Sequence, residues 1–282
     1  MKKNISFKDI TFLIVTYRSN KIIKDCLNLL PKECDKIIVE NSSDIQFKNT
    51  LEREYSNLKC ILSGKNIGYG AGNNLGLKYS QTDYIFIINP DVLLYEKNLM
   101  KIIEILNKEN FDLAAPISLD EKNNNDFENK EFLLTDEVKG FAMILKRSLF
   151  KEFMFDENIF LYLEEIDLCK RIKKNDGKIV LLNVLVHHVG GNSHGNRDDL
   201  EMEKSRNWHW MWSKFYFYKK HMGIISAFAI TLPNFFNCLI KYVFYRIFGK
   251  KIKYTKYKMR LFGLFSSYLN KKSFYRPYEE IK

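Results

Sequence analysis

Short, unbroken apolar runs recur along the first two thirds of the chain, each ending in a polar cluster and each followed by apolar residues at helical spacing. ITFLIVTY (10–17) reads as a buried strand, and KIIKDCLNLL after it as a helix. CDKIIVENSS supplies a second strand, ending at Glu40 and Asn41. LKCILSGKNIGYGAGNNLGLKYS gives a short strand, a glycine-rich turn and a helix, and DYIFIINPDV the next strand. Strand and helix alternate throughout, which predicts an α/β fold: a mostly parallel sheet flanked by helices.

The alternation continues through the helix NLMKIIEILNKEN, the strand DLAAPISL and an exposed polar loop, DEKNNNDFENKEF. VKGFAMILKRSLF returns to buried character. In DENIFLYLEEIDLCKRIKKNDG, Leu161, Ile166, Leu168 and Ile172 are available to one helical face, with Asp176 and Gly177 as the stop. KIVLLNVLVHHVGGNS closes this part as strand and loop. Composition changes abruptly only near residue 205, which predicts a main domain over 1–204 and a basic, aromatic helical extension over 205–282.

Charge sharpens that division. The net charge is +11, yet residues 205–282 hold sixteen Lys and Arg against two Glu, a net of +14, which leaves −3 for residues 1–204. The extension also holds Trp208, Trp210 and Trp212 and runs such as KYVFYRIFGKKIKYTKYKMR, in which aromatics alternate with cations. Such a segment is attracted to nucleic-acid phosphates or to anionic headgroups with an aromatic interfacial belt. Ile224–Ile240 is free of charge for 17 residues, the lower limit for a membrane span, but Pro233, Asn234 and Asn237 interrupt it. The expectation is therefore a pair of helices lying on an anionic membrane surface, apolar faces down and lysines toward headgroups. A helical pair packed on the main domain, or used to form a homo-oligomer, is the competing expectation.

Cys26, Cys34, Cys60, Cys169 and Cys238 are odd in number, irregularly spaced and without a CxxC pair, which argues against a disulfide framework or a zinc site. The N-terminal apolar run Thr11–Val15 is too short for a secretory core. Both features predict a cytoplasmic chain.

The candidate chemistry sits where the apolar runs stop. Thr16 and Tyr17, Glu40 and Asn41, Asn73 and Asn74, and Asn89 and Asp91 each follow a strand or its adjoining turn, so they converge on one sheet edge, where open α/β sheets keep their ligands. Pro90 punctuates the strand YIFII and delivers Asp91 at its carboxyl end. A hard carboxylate there suits Mg2+ or Mn2+, which keep water and phosphate ligands. His187 or His188 could join it. Gly68, Gly70 and Gly72 alternate in NIGYGAGNN and would let backbone approach a ligand, or simply serve the helix entry; they do not form the dinucleotide fingerprint. Glu164, Glu165 and Asp167 stand in the first turn of a helix, where the macrodipole favours anions.

FLIVTYRS, IIVENSSD, NIGYGAGNNLGL, YIFIINPDV, GFAMILKRS, FDENIFLYLEEIDLCKRIKKNDGKI and HHVGGNS together resemble, in order, the motifs of family 2 glycosyltransferases with the GT-A fold, and especially the rhamnosyltransferase branch. The match covers about residues 9–220. The resemblance implies a nucleotide-diphosphate sugar donor and inverting, single-displacement transfer to an acceptor hydroxyl. It implies that Thr16, Tyr17 and Glu40 hold the donor nucleoside, that Asn41 belongs to the donor-binding set, that Asn73 lines the donor pocket, and that Asp91 is the final acid of a metal-binding D-x-D whose first position is Asn89. His188 matches a histidine that approaches the metal or diphosphate, and Arg206 falls in a basic stretch that contacts phosphate.

Two positions depart from the family's pattern. Its second strand usually ends in Asp-Asn, where this chain has Glu40-Asn41. Its helix usually reads E-D-x-D-L, where this chain has Glu164-Glu165-Ile166-Asp167-Leu168. The family's base falls on Glu165, with Asp167 and Glu164 as the other acids in reach. The rhamnosyltransferase branch points to dTDP-rhamnose as donor and a glycan or lipid-linked glycan precursor as acceptor, at the inner face of the cell membrane. The alternatives are the same scaffold with a UDP-hexose or UDP-galactofuranose donor, or a catalytically weak, membrane-bound assembly component. Nucleic acid has no role in this reading.

Overall fold

The strand β1 (Ile10–Thr16) is buried along all of its seven residues, and its side chains divide between two cores. Phe12 and Ile14 join the larger apolar cluster, Leu13 and Val15 the other, as the two-residue period of a strand requires. The same division recurs in β4 (Tyr84–Ile88), with Phe86 and Ile88 on one face and Ile85 and Ile87 on the other. This is why both strands read as unbroken apolar runs: the sheet carries packing on each face. The computed structural model describes residues 4–119, 127–188 and 199–278. Most of the polar loop, residues 120–126, and the GGNS part of the histidine motif lie outside them.

Two compact units are formed, Met1–Phe155 with Glu165–Arg197 and Asp156–Glu164 with Asp198–Lys282. In the first, β1, β2 (Asp35–Glu40), β3 (Leu58–Leu62) and β4 are parallel, in the order β3-β2-β1-β4. Helices α1 (Ile23–Asn28), α2 (Ile45–Glu54) and α3 (Tyr69–Leu77) connect them, and α4 (Glu96–Lys108) buries Leu99, Ile102, Ile105 and Leu106 along one stripe.

Beyond β4 the sheet is mixed rather than mostly parallel. The order continues β8 (Ala142–Lys146), β6 (Leu113–Ser118), β9 (Ile179–His188), β5 (Val92–Leu93). β8 is antiparallel to both β4 and β6, and β9 pairs antiparallel with β5 and with β7 (Phe132–Leu134). Among the described residues only β6–β9 is parallel in this half. The apolar run of β8 does not distinguish the two directions, because β8 is buried on both faces either way. Helix α5 (Glu164–Lys174) buries Leu168 and Ile172 against the second core, whereas Leu161 precedes the helix and does not join its face.

The second unit is helical. Helix α6 (Leu200–Ile247) begins before the change of composition at 205, because its first turn carries Glu201 and Glu203 and its cap is Asp199, which accepts from the amides of Glu201 and Met202. Gly223, at φ 83° and ψ 167°, breaks α6 into two helices. Trp208 and Trp212 pack with Met259 of α7 (Lys251–Tyr268) and with Tyr275, while Met211 and Phe215 meet Ala227 and Leu264. These two tryptophans therefore form core, not an interfacial belt, and Trp210 alone of the three is exposed. Asp156 belongs here because it accepts from the Tyr216 hydroxyl at 2.9 Å and from Lys220 Nζ at 2.7 Å. Burial works against its charge, but the Lys220 and Asn158 bonds prevail and hold its pKa at about 2.

Candidate active site

Because β1, β2 and β4 are parallel, their carboxyl ends lie on one edge, and the register pairs Thr16 directly with Glu40. Glu40 is fully buried. Its Oε2 accepts from Thr16 Oγ1 at 2.5 Å and its Oε1 from the Ser42 amide at 2.5 Å. Burial pushes the Glu40 carboxyl above its ordinary range, and the Thr16 and Ser42 bonds oppose that shift. Thr16 and Glu40 thus act as one hydrogen-bonded pair that ties β1 to β2. The Asn41 amide reinforces the tie by donating to the Thr16 carbonyl at 2.8 Å. Tyr17 stands half-buried just beyond, its amide donating to Ser19 Oγ at 3.2 Å.

The glycine turn packs against this edge. Gly68 caps α3 at φ 91°, a left-handed conformation that a side chain would strain, and its carbonyl accepts from Asn41 Nδ2 at 3.1 Å. A Cβ on Gly72 would stand 2.8 Å from Val15 Cγ1, so this glycine serves the close approach of helix to strand. The next residue, Asn73, is 0% exposed, and neither its amide nitrogen nor its oxygen has a hydrogen-bond partner among the described residues. Leaving such a group unpaired costs about 1–3 kcal/mol, a cost that a polar ligand would remove. Asn41 Oδ1 is in the same position. Asn74 is instead engaged structurally, its amide paired both ways with the backbone of Phe155 at 2.9 Å.

Asp91 and His188 meet through an element too short to see in the sequence. The chain turns after β4, with the Val92 amide bonded to the Asn89 carbonyl at 3.1 Å and the Asn89 amide to the Phe141 carbonyl at 2.8 Å. The two-residue β5 then pairs with the end of β9, setting Val92 opposite His188. His188 Nε2 lies 3.4 Å from Asp91 Oδ1, and its ring stacks on Phe141 with centroids 4.8 Å apart. Asp91 is buried and His188 half-buried; His187, its neighbour on the strand, is exposed. Asn89 is half-buried beside them. Among the described residues no three His, Cys, Asp or Glu side chains converge on a metal site. One carboxylate and one imidazole fit an ion that draws its remaining ligands from water and a diphosphate, the habit of Mg2+ and Mn2+.

The three acids of α5 differ sharply in setting. Tyr162 and Leu163 both adopt left-handed backbone, at φ 71° and 69°, directly before the helix. Two consecutive non-glycine residues there store about 1–3 kcal/mol each, a feature that clusters at functional sites. Glu164 is buried. Asp167 is fully buried and receives Arg171 Nε at 2.9 Å, while Arg171 Nη2 donates to the Met154 carbonyl at 2.7 Å. Glu165 keeps partial exposure. Burial raises its pKa above the ordinary carboxylate range, and the amides of Glu165, Gly140 and Ile166 oppose the rise. Arg206 lies in the helical unit, ion-paired with Glu203 at 3.2 Å.

Several partners of these groups have no signal in the sequence. Phe141, Gly140 and Arg171 are ordinary residues of a buried run and a basic helix end, and only the pairing of strands brings Phe141 under His188.

A mixed sheet with ligand-facing groups at the carboxyl ends of its parallel half and an acidic helix entry is the arrangement of a GT-A glycosyltransferase. The profile of glycosyl transferase family 2 matches residues 11–169, more than half of the chain, and the chain belongs to that family. Two relatives are the low-salt glycan biosynthesis hexosyltransferase Agl10 of Haloferax volcanii and the rhamnosyltransferase WbbL of Escherichia coli K12. The first is 24% identical over 60% of this chain and 62% of its own length, the second 26% identical over 63% and 79%. Among solved structures, the mannosyltransferase PcManGT of Pyrobaculum calidifontis, in complex with GDP-Man and Mn2+, superposes with a TM-score of 0.58 at 14% identity. That match covers 94% of this chain and 88% of the other. S. aureus TarS 1–349 with UDP-GlcNAc gives 0.53 at 16% identity, over 95% and 93%. These likenesses establish the fold.

Proposed function

We propose that this protein is an inverting glycosyltransferase that moves a sugar from a nucleotide-diphosphate donor to a hydroxyl of a glycan or lipid-linked glycan precursor. The observation that carries the reading is the Asp91–His188 pair, 3.4 Å apart at the carboxyl end of β4. Asn73, buried without a partner among the described residues, supports a polar ligand at the same edge. Thr16, Tyr17, Glu40, Asn41, Asn73 and Asn89 form the donor side. Asp91 and His188 would hold the Mg2+ or Mn2+, which when bound would neutralise the departing diphosphate.

Glu165 is the base. Of the three acids on α5 it combines partial exposure with a pKa that burial raises above its ordinary value, which makes it the better proton acceptor for an acceptor hydroxyl. Asp167, committed to Arg171, is a positioning residue.

The likeness to a rhamnosyltransferase supports dTDP-rhamnose as donor, and the likeness to Agl10, named for glycan biosynthesis, supports a glycan acceptor. A panel of dTDP-rhamnose, UDP-hexoses and UDP-galactofuranose, each with and without Mn2+, tests this by protection against heat. A ligand at a hundredfold excess over its Kd stabilises by about 2.7 kcal/mol, a rise in Tm of roughly 5–10 °C. The expected result is Mn2+-dependent protection by dTDP-rhamnose above the others. Protection by none of them would overturn the reading.

The helical unit is read as the membrane-facing part, peripheral at the inner face of the cell membrane. Helix α6 is long and apolar enough to cross a membrane by length and composition, and only 17% of its most apolar window is buried. After Gly223 it exposes Ile225, Phe236, Ile240 and Ile247, and α7 adds Ile252 among Lys250, Lys251, Lys253, Lys256 and Lys258. An apolar face bordered by cations suits an anionic interface. Removing everything after Gly223 would also strip Met259, Leu264 and Tyr275 from the core around Trp208 and Met211, so surface substitutions give the sharper test. The triple variant Ile225→Glu, Ile247→Glu, Ile252→Glu is expected to lose flotation with vesicles of phosphatidylserine and phosphatidylcholine while keeping its Tm. Flotation equal to that of the unsubstituted protein would refute the membrane role and favour self-association.

A further inference from the structure

We propose that Tyr69 positions the Glu165 carboxylate through Gly140, so that the helix lining the donor pocket also holds the base. The Tyr69 hydroxyl donates to the Gly140 carbonyl at 2.7 Å, across 71 residues of sequence. Gly140 in turn forms a wall against Glu165: a Cβ placed on it would lie 3.3 Å from both Cβ and Cγ of Glu165 and 3.4 Å from its Cδ. The Gly140 amide is also one of the groups that favour the ionised form of Glu165. Tyr69 and Asn73 stand one turn apart on α3, hence on the same helical face. The face that carries the unpaired Asn73 amide therefore also holds, through its carbonyl, the glycine whose amide and α-carbon abut the base.

The absence of a side chain at residue 140 follows from the same geometry. Contacts of 3.3 Å are tighter than carbon atoms ordinarily tolerate, so any larger residue would press on the carboxylate-bearing chain of Glu165. Tyr69 itself is half-buried against the second core, so its ring is held by packing and its hydroxyl is free to be removed separately.

The inference rests on Glu165 as the base, and the test is chosen to be independent of which donor or acceptor is used. Carboxyl 13C signals of glutamate-labelled full-length protein are titrated, with the Glu165 signal assigned by its loss in Glu165→Gln. In Tyr69→Phe the ring remains and only the hydroxyl is lost. Gly140 is then less firmly held, the ionised carboxylate loses support, and the Glu165 midpoint is expected to move upward. Gly140→Ala, which displaces the side chain directly, is expected to move it as well. Glu52, on the far helix α2 and held low by the Cys60 amide and Lys48 against the effect of burial, should keep its midpoint in both variants. A Glu165 midpoint in Tyr69→Phe that coincides with that of the unsubstituted protein would overturn the proposal, whatever Gly140→Ala shows. A shifted midpoint together with a Glu165→Gln protein that still transfers sugar would sustain the positioning contact and instead remove Glu165 as base. Should Tyr69→Phe fail to fold, Tyr69→Leu, which also lacks the hydroxyl, is titrated in its place and read by the same criterion.

Discussion

Asp91→Ala is expected to abolish Mn2+-dependent binding of the donor's nucleoside diphosphate while the protein stays folded. Asp91 is buried at the end of β4, and His188, its partner at 3.4 Å, is held independently by the β5–β9 pairing and by its stack on Phe141. Losing the carboxylate therefore removes a ligand without releasing the histidine or opening the sheet. Isothermal calorimetry with dTDP and UDP in the presence of Mn2+ measures the effect. A fall of at least about 100-fold in affinity is expected, since even an outer-sphere partner of a metal site is worth about 10–100-fold. Asp91→Asn, which keeps the shape but not the charge, should show most of the same loss. Affinity that survives both substitutions would take Asp91 out of the ion's coordination.

The placement of Asp91 was legible because it follows from two local facts, an unbroken apolar strand and the proline that stops it. The same holds for Thr16 and Glu40, which end strands of the parallel half, and for the acids at the entry of α5. What the sequence could not convey is how the second half of the sheet is ordered. A run buried on both faces has no period that distinguishes parallel from antiparallel, so β8 gave no sign that it reverses direction between β4 and β6. The pairing of β5 with β9 escaped for a different reason: two residues carry no pattern, yet this pair brings His188 to Asp91. The departure from Asp to Glu at position 40 was visible, but not that its carboxylate would close back on Thr16 and the Ser42 amide. Aromatic composition misled in the helical unit, because Trp208 and Trp212 are equally suited to an interface and to a core. Only the fold of α7 across α6 decides between them.

Glu165→Gln is expected to retain donor and metal binding but to lose transfer by roughly 100-fold or more, the range for removal of a general base. The amide keeps the volume of the side chain and can still accept the backbone amides around it, so the local packing against Gly140 survives. It cannot take a proton. Burial places the pKa of Glu165 above the ordinary carboxylate range, so transfer by the unsubstituted protein should decline as pH falls through that raised value. The base must be ionised, and the acidic limb of the rate profile accordingly lies above that of an ordinary glutamate. Asp167→Asn supplies the contrast. Its partner Arg171 would lose an ion pair while still reaching the Met154 carbonyl, and because Arg171 remains partly exposed the cost should be about 1–3 kcal/mol, below that of a fully buried broken pair. Stability should therefore suffer more than turnover at saturating substrate. Turnover, nucleotide affinity and Tm measured on both variants separate the roles: a folded, inactive Asp167→Asn beside a nearly active Glu165→Gln would move the base two positions along α5.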